Sequence, residues 1–431
     1  MSPEEKANAL AELKAAISIM ESKKSLTTEE LLSKYYVERE SKFINKLKNT
    51  FLSSTGQPLK VLFSGHIGSG KSSELFKLKQ DLDNEFFMIY YSIKEYMDLS
   101  GTDTSAFMET MAKKLKETAD ENNVQLEKKL IENIEKWKSS KRQVKYRDEQ
   151  RIGATGIGGN LGVIKASGEL HTEKGTKTEE AWEQGPNINE LILSIDGLIV
   201  ALRESQKKEP VIIIDDIDKL DLADAEKLFL KYSRTLTSLN CKIIYTVPIA
   251  LLYSDHFRQI ESFYHKVCLL PISKVKKKDG TPNEEGIDKI RKIIERRIHI
   301  DLFGKGILEK IIRDGGGVIR DTIRIVQECC LICITDKKPV IDESAANEAA
   351  SILKNEFRRQ IPKELYQKMI EVKNFKTKTP DVDRELQRLL YCQGVLEYSN
   401  DDTWYDVHPL AYDLAEEKEK EYESKERKKK K

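Results

Sequence analysis

Apolar and polar positions follow two rhythms along this chain. Leu10, Leu13, Ile17 and Met20 recur at helical spacing and predict a helix within residues 1–24. Residues 28–52 read as a second helical region. Short unbroken apolar runs then begin: Val61-Leu62-Phe63-Ser64, Phe86-Phe87-Met88-Ile89-Tyr90-Tyr91, Val211-Ile212-Ile213-Ile214, Lys242-Ile243-Ile244-Tyr245 and Lys266-Val267-Cys268-Leu269-Leu270. Runs this short, rich in β-branched and aromatic residues, predict buried strands. Helical patterns separate them, at Leu75, Phe76, Leu78 and Leu82, at 104–118 and 123–140, at Ile188, Leu191, Ile195, Leu198 and Leu202, and from Ala223 to Leu239. Strands alternating with helices predict an α/β architecture around a largely parallel sheet.

A charged linker, Lys274 to Asn283, closes that region, and helices are expected over 284–335 and 343–372. A smaller unit follows at about 362–416. Its helical segments, 362–373 and 381–393, precede two alternating runs, Val395 to Tyr398 and Thr403 to Val407, around Asn400-Asp401-Asp402, which is a hairpin signal. Residues 417–431 are almost all Glu and Lys and read as a frayed helix or a disordered tail. The expected division is therefore an N-terminal helix at 1–27, a main domain at 28–273 with an insertion at about 136–186, a helical domain at 284–355, a C-terminal unit at 356–416 and a charged tail.

Within the insertion, Lys136 to Arg151 is basic, with Trp137 and Tyr146 interleaved, a pattern that could neutralise phosphates and stack on bases. A solvated amphipathic helix is the competing reading. The chain as a whole carries a net charge of +1 over 431 residues, so no global field draws it to nucleic acid or membrane. No apolar run reaches the length of a spanning helix. The first residues are polar and acidic without a signal-peptide core, so a cytoplasmic location without membrane contact is expected. Six cysteines include Cys329, Cys330 and Cys333, but they fall in an apolar helical run without a second ligand pair, which predicts buried thiols rather than a metal site.

The chemistry concentrates in Gly65-His66-Ile67-Gly68-Ser69-Gly70-Lys71-Ser72, which reads G-x-x-x-x-G-K-S between a predicted strand and a predicted helix. Glycines let successive N–H groups and the helix N-terminus face a phosphate chain. Lys71 would neutralise the β- and γ-phosphates, the Ser72 hydroxyl would ligate Mg²⁺, and Ser73 belongs to the same nucleotide-binding stretch. The run ending in Asp215-Asp216 supplies the rest: Asp215 to hold Mg²⁺, Asp216 to orient the attacking water. Thr246, at the end of the next run, is placed for the γ-phosphate or the water. Gly315-Gly316-Gly317-Val318-Ile319-Arg320 opens a helix whose Arg320 could report the γ-phosphate.

In this order the motifs resemble the AAA+ and STAND branch of P-loop ATPases. The segment Tyr36-Val37-Glu38-Arg39-Glu40 is similar to that family's F-V-G-R-E box, with Glu38 in place of the glycine, and the resemblance implies that Tyr36, Val37 and Arg39 lie against the adenine. It implies a three-layer sandwich around a five-stranded parallel sheet with the 60–64 strand central, then a helical lid, then a C-terminal unit resembling a winged helix, as in origin-recognition ATPases. Glu397, Asp401, Asp402 and Asp406 would make that wing acidic, which favours an interaction or autoinhibitory role over DNA binding.

The implied function is an ATP-hydrolysing switch, slow or partner-stimulated, that couples Mg-ATP to self-assembly or to a protein effector. The wider family suggests bacterial anti-phage defence or regulation. Arg258, Arg296 and Arg297 are the candidates for an arginine finger. A DNA- or RNA-handling ATPase, engaging nucleic acid through 136–151, and a scaffold that binds ATP without turnover are the alternatives.

Overall fold

The computed structural model of the chain describes residues 2–21, 25–39, 41–54, 56–99, 104–137, 188–375, 383–399 and 403–429. Each predicted run is a strand: β1 (Lys60–Gly65), β2 (Phe86–Ser92), β3 (Glu209–Asp215), β4 (Lys242–Pro248) and β5 (Lys266–Leu269). They form one sheet in the order β2-β3-β4-β1-β5, with every pairing parallel. The expectation that the 60–64 strand is central is corrected: β4 holds the centre, and β1 lies between β4 and β5. The consequence for the site is small. In a parallel sheet all C-terminal strand ends share one edge, so Gly65 and Asp215 reach that edge although β4 separates their strands.

The pleat sends alternate side chains to opposite faces. Val61, Phe63, Val211, Ile213 and Ile244 pack against Leu75, Leu78 and Leu82 of the helix Lys71–Leu82, with Ile44, Leu47 and Phe51 of the helix Ser41–Ser53 beneath them. Leu62, Ile212, Ile214, Ile243 and Tyr245 pack on the other face against the helices Thr104–Glu121 and Ile188–Gln206. The expected three layers follow. At about 1.5–3 kcal/mol for each fully buried aliphatic side chain, these two faces carry most of the domain's stability. The single helix expected over 223–239 is instead two short helices, Leu222–Glu226 and Ser233–Thr237, joined by a π-helical turn, Lys227–Lys231, that presses Phe229 onto Tyr245.

A helix at 128–137 adds Ile134 and Trp137 to the second face. Trp137 is 3% exposed, so its indole is core and is not offered to bases. That removes one of the two aromatic supports for nucleic-acid binding through 136–151. Tyr146, with residues 138–187, lies outside the described residues.

The helix Pro3–Ile19, opened by a Ser2/Glu5 capping box, packs on the helix Ile319–Thr335 and buries Leu13, Ala16 and Met20. With the helices Glu284–Glu295, Ile307–Asp314 and Glu343–Gln360 it shares one helical core, at the place where a lid is expected. Cys329, Cys330 and Cys333 are free thiols buried in that core, as their setting in the sequence leads one to expect. The C-terminal unit comprises the helices Tyr366–Asn374 and Arg384–Tyr391, an antiparallel hairpin of β6 (Val395–Ser399) and β7 (Thr403–Val407), and the helix Pro409–Lys429. That last helix includes the charged stretch and is tied back by Arg358–Glu417 and Lys373–Glu419 pairs, both at 2.5 Å.

The expected acidic wing is also corrected. Glu397 and Asp406 are 4% and 1% exposed. They face their own chain, where Tyr253 donates to Glu397 and Lys276 pairs with Asp406. A strand that alternates acidic and apolar residues looks solvated in a sequence, but here its acidic face is covered as well. Asp401 and Asp402 lie outside the described residues.

Candidate functional site

The phosphate loop bridges β1 and the helix Lys71–Leu82. Gly68 and Gly70 have φ of 80° and 95°, in the left-handed region that glycine adopts without strain. The loop is also too crowded for a side chain there. A Cβ on Gly68 would lie 2.6 Å from Cβ of Arg320, and one on Gly70 2.7 Å from Arg39 Nη2. Lys71 opens the helix, where amide groups and the macrodipole favour an anion. Its ammonium donates to Gly65 O at 2.8 Å and His66 O at 3.0 Å and pairs with Asp218 at 2.8 Å.

Asp218 is not among the candidate site residues read from the sequence. It follows β3 on a 3₁₀ turn, Ile217–Lys219, and its carboxylate groups with those of Asp215 and Asp216, the ligand atoms lying within 4.8 Å of one another. Burial pushes the Asp215 carboxyl up, as do the charges of Asp218 and Asp216, with hydrogen bonds from Ser72 and Tyr90 pulling partly back. The Tyr90 hydroxyl donates to it at 2.6 Å. Burial also pushes Asp216 up, but hydrogen bonds from Lys219 and Ser92 and the Lys219 charge outweigh it and hold the carboxyl below its usual range. A divalent cation is what would stabilise three acids in so small a space.

Thr246 is fully buried; it accepts from Ile217 N at 3.0 Å and donates to Ile214 O at 3.3 Å. It thus pegs the turn that carries the acids. Arg320 lies on the lid side of the loop, its amide donating to Gly68 O at 3.2 Å.

A cleft runs from Lys71 and Asp218 past Gly68, Gly70, Ser72, Ser73 and Arg320 to a largely apolar end formed by Leu26, Val37, Ile293, Ile319 and Ile323. Tyr36, Val37 and Arg39 of the F-V-G-R-E-like segment line it. Arg39 is buried, donating to Glu74 at 2.9 Å and Ser69 O at 3.1 Å, and the Tyr36 hydroxyl also donates to Glu74 at 2.9 Å. Burial, then the Glu74 charge, raises the Tyr36 pKa far above the ordinary phenol value, so it stays a donor.

Two further contributors come from segments distant in sequence. The Leu26 amide donates to Ser73 Oγ at 3.1 Å, bringing the N-terminal segment over the cleft. Arg297, a candidate finger for a neighbouring subunit, instead lines its own chain's cleft, stacked 5.1 Å over the Tyr35 ring and donating to Ile293 O at 2.7 Å. Burial pushes its pKa down to about 10. Arg258 and Arg296 are exposed.

The residues fit a magnesium–nucleotide on two counts. Glycine backbone forms a cradle that a Cβ would fill, and three buried polar atoms around it, Arg39 Nη1, His66 Nδ1 and Ser69 Oγ, have no hydrogen-bond partner.

The loop's other side meets the C-terminal unit. Gln393 Nε2 donates to Ile67 O at 2.7 Å, and the Glu397 amide donates to His66 Nε2 at 2.9 Å. His66 is buried, and burial, with the Lys71 and His408 charges adding to it, pushes its pKa down to about 3; it is a neutral acceptor. Tyr398 OH donates to Gly316 O at 2.9 Å, fastening the hairpin to the Gly-rich start of the lid helix as well.

A parallel sheet whose first strand ends in this loop, faced by acids from β3, defines a P-loop NTPase. Residues 40–245 match the family model of the KAP family P-loop domain. Comparison with curated proteins finds no match. Among solved structures the chain is similar to the Walker-type ATPase of Pyrococcus abyssi, at 15% identity and a TM-score of 0.47 over 91% of this chain and 99% of that one. It is similar to the Aeropyrum pernix ORC1 protein, solved in complex with DNA, at 10% identity and a TM-score of 0.43 over 89% and 95%. Cdc6p from Pyrobaculum aerophilum matches at 12% identity and a TM-score of 0.42 over 92% and 100%. Among the described residues no helix is long and apolar enough to cross a membrane.

Proposed function

We propose that the protein is an ATP-hydrolysing switch in which the phosphate loop controls the seating of the C-terminal unit. One observation carries this reading. The loop expected to hold the phosphates is also a docking surface, through Gln393 to Ile67 O and the Glu397 amide to His66. The same interface continues away from the loop, where Gln387 donates to Ala250 O at 3.0 Å and Tyr391 to Leu220 O at 3.1 Å. A ligand shifts such an equilibrium only by its different affinity for the two arrangements. A triphosphate on Lys71 and the loop amides acts on the same loop that holds Gln393 through Ile67 O and the Glu397 amide through the His66 side chain, which gives that difference a physical origin.

In this reading Lys71 neutralises the β- and γ-phosphates, and Ser72 and Asp215 hold Mg²⁺. Bound magnesium supplies charge neutralisation on the phosphates. Asp216 orients the attacking water and must first loosen from Ser92 and Lys219, which favours slow turnover. Thr246 keeps the acidic turn in place. Arg320, bonded to the loop through its own amide, carries the γ-phosphate's presence into the lid. Release of the C-terminal unit uncovers Glu397, Tyr405 and Asp406 for a second copy or a protein effector.

ATPase activity measured against protein concentration, with sedimentation in parallel and with DNA or RNA added in separate arms, tests this. Activity per molecule that rises with concentration, together with larger species in Mg-ATP, supports the switch. Stimulation by nucleic acid alone points to a nucleic-acid-handling ATPase, and binding without turnover points to a scaffold.

A further inference from the structure

We infer that Asp218 is a positioning residue that makes phosphate binding conditional on a divalent cation, by competing with phosphates for the Lys71 ammonium. The inference deepens the nucleotide reading of the same site and rests on it. An ammonium has three protons to donate; Lys71 donates to Gly65 O and His66 O, and its charge pairs with Asp218 at 2.8 Å. The two charged side chains are each 5% exposed, so bulk solvent screens the pair only weakly. A phosphate that recruits Lys71 must take it from one of these acceptors, and Asp218 is the one on the cleft side.

Losing Lys71 leaves Asp218 badly placed. Among the described residues no other basic side chain forms an ion pair with it. The neighbouring cation, Lys219, is bound to Asp216. The backbone that carries Asp218 is held in place, because the Ile217 amide is fastened to Thr246 and the Lys219 amide to Asp216 O, at 3.0 and 3.2 Å. A buried carboxylate stripped of its partner is strongly unfavourable, and here it would sit beside two more carboxylates and the incoming phosphates. A divalent cation at the acid cluster removes that conflict; without one, the carboxylate opposes the phosphates. Asp218 thereby selects magnesium-bound nucleotide over free nucleotide.

The test is equilibrium binding of ATP and ADP to the full chain, in Mg²⁺ and in EDTA, for wild type, Asp218→Asn and Asp218→Glu. Asp218→Asn keeps the shape and removes the charge. It should raise metal-free affinity at least about tenfold and narrow the ratio between the two conditions. Asp218→Glu should keep the wild-type ratio, and thermal melting confirms that each variant is folded. A ratio unchanged in Asp218→Asn overturns the inference while leaving the nucleotide site standing. Failure of wild type to bind in Mg²⁺ overturns the nucleotide reading and this inference with it.

Discussion

Replacing His66 by alanine tests the link between the phosphate loop and the C-terminal unit. The imidazole is 1% exposed, and its Nε2 accepts the Glu397 amide at 2.9 Å. His66→Ala leaves that amide buried without an acceptor, a penalty of about 1–3 kcal/mol. At 1.4 kcal/mol per factor of ten, the docked arrangement should lose roughly 5- to 150-fold against the undocked one. Amide hydrogen exchange reads this directly. Protection of β6 should fall by that factor, while β3 and β4, deep in the main sheet, stay as protected as in wild type. The pH dependence supplies a second check. His66 has a pKa pushed from 6.5 to about 3 by burial and the nearby charges, so its neutral form is required in the folded chain. The unfolded chain takes up the proton first, so this contribution is intact above about pH 6.5 and fades as the pH falls towards 3. The alanine variant should lack that part of the acid sensitivity. Unchanged β6 protection in His66→Ala would refute the latch.

Other outcomes follow from the same geometry. Asp216→Asn should bind Mg-ATP within a few-fold of wild type but lose turnover by about 10²–10⁴-fold; single-turnover hydrolysis beside equilibrium binding separates the two. Trp137→Ala should destabilise the sheet domain by about 3–5 kcal/mol, measured by denaturant unfolding, and in wild type its fluorescence should not respond to single-stranded DNA.

Local chemistry was the legible part of this protein. Each strand is a contiguous run, and Gly65 to Ser72 is one uninterrupted segment, so both could be read from neighbours in the chain. What depends on which segments meet could not. Strand order left no local trace, and β4 separates β1 from β3. Asp218 follows Asp215 closely in the chain, yet its pairing with Lys71 joins positions far apart in the sequence. One wall of the cleft joins Tyr35 to Arg297 across 262 positions, which no periodicity reports. Trp137 and Glu397 were misjudged for a shared reason: an aromatic among lysines and an acid on an alternating strand both resemble surface until the element that covers them is known.

The account depends on Lys71 and the acids after β3 serving a common magnesium–nucleotide. Calorimetric titration of the full chain with ATP in Mg²⁺, repeated on Lys71→Ala, tests that most directly. One saturable site per chain in wild type, weakened at least about tenfold in the variant, is the predicted result. Absence of binding in wild type, or equal binding by the two proteins, would contradict it.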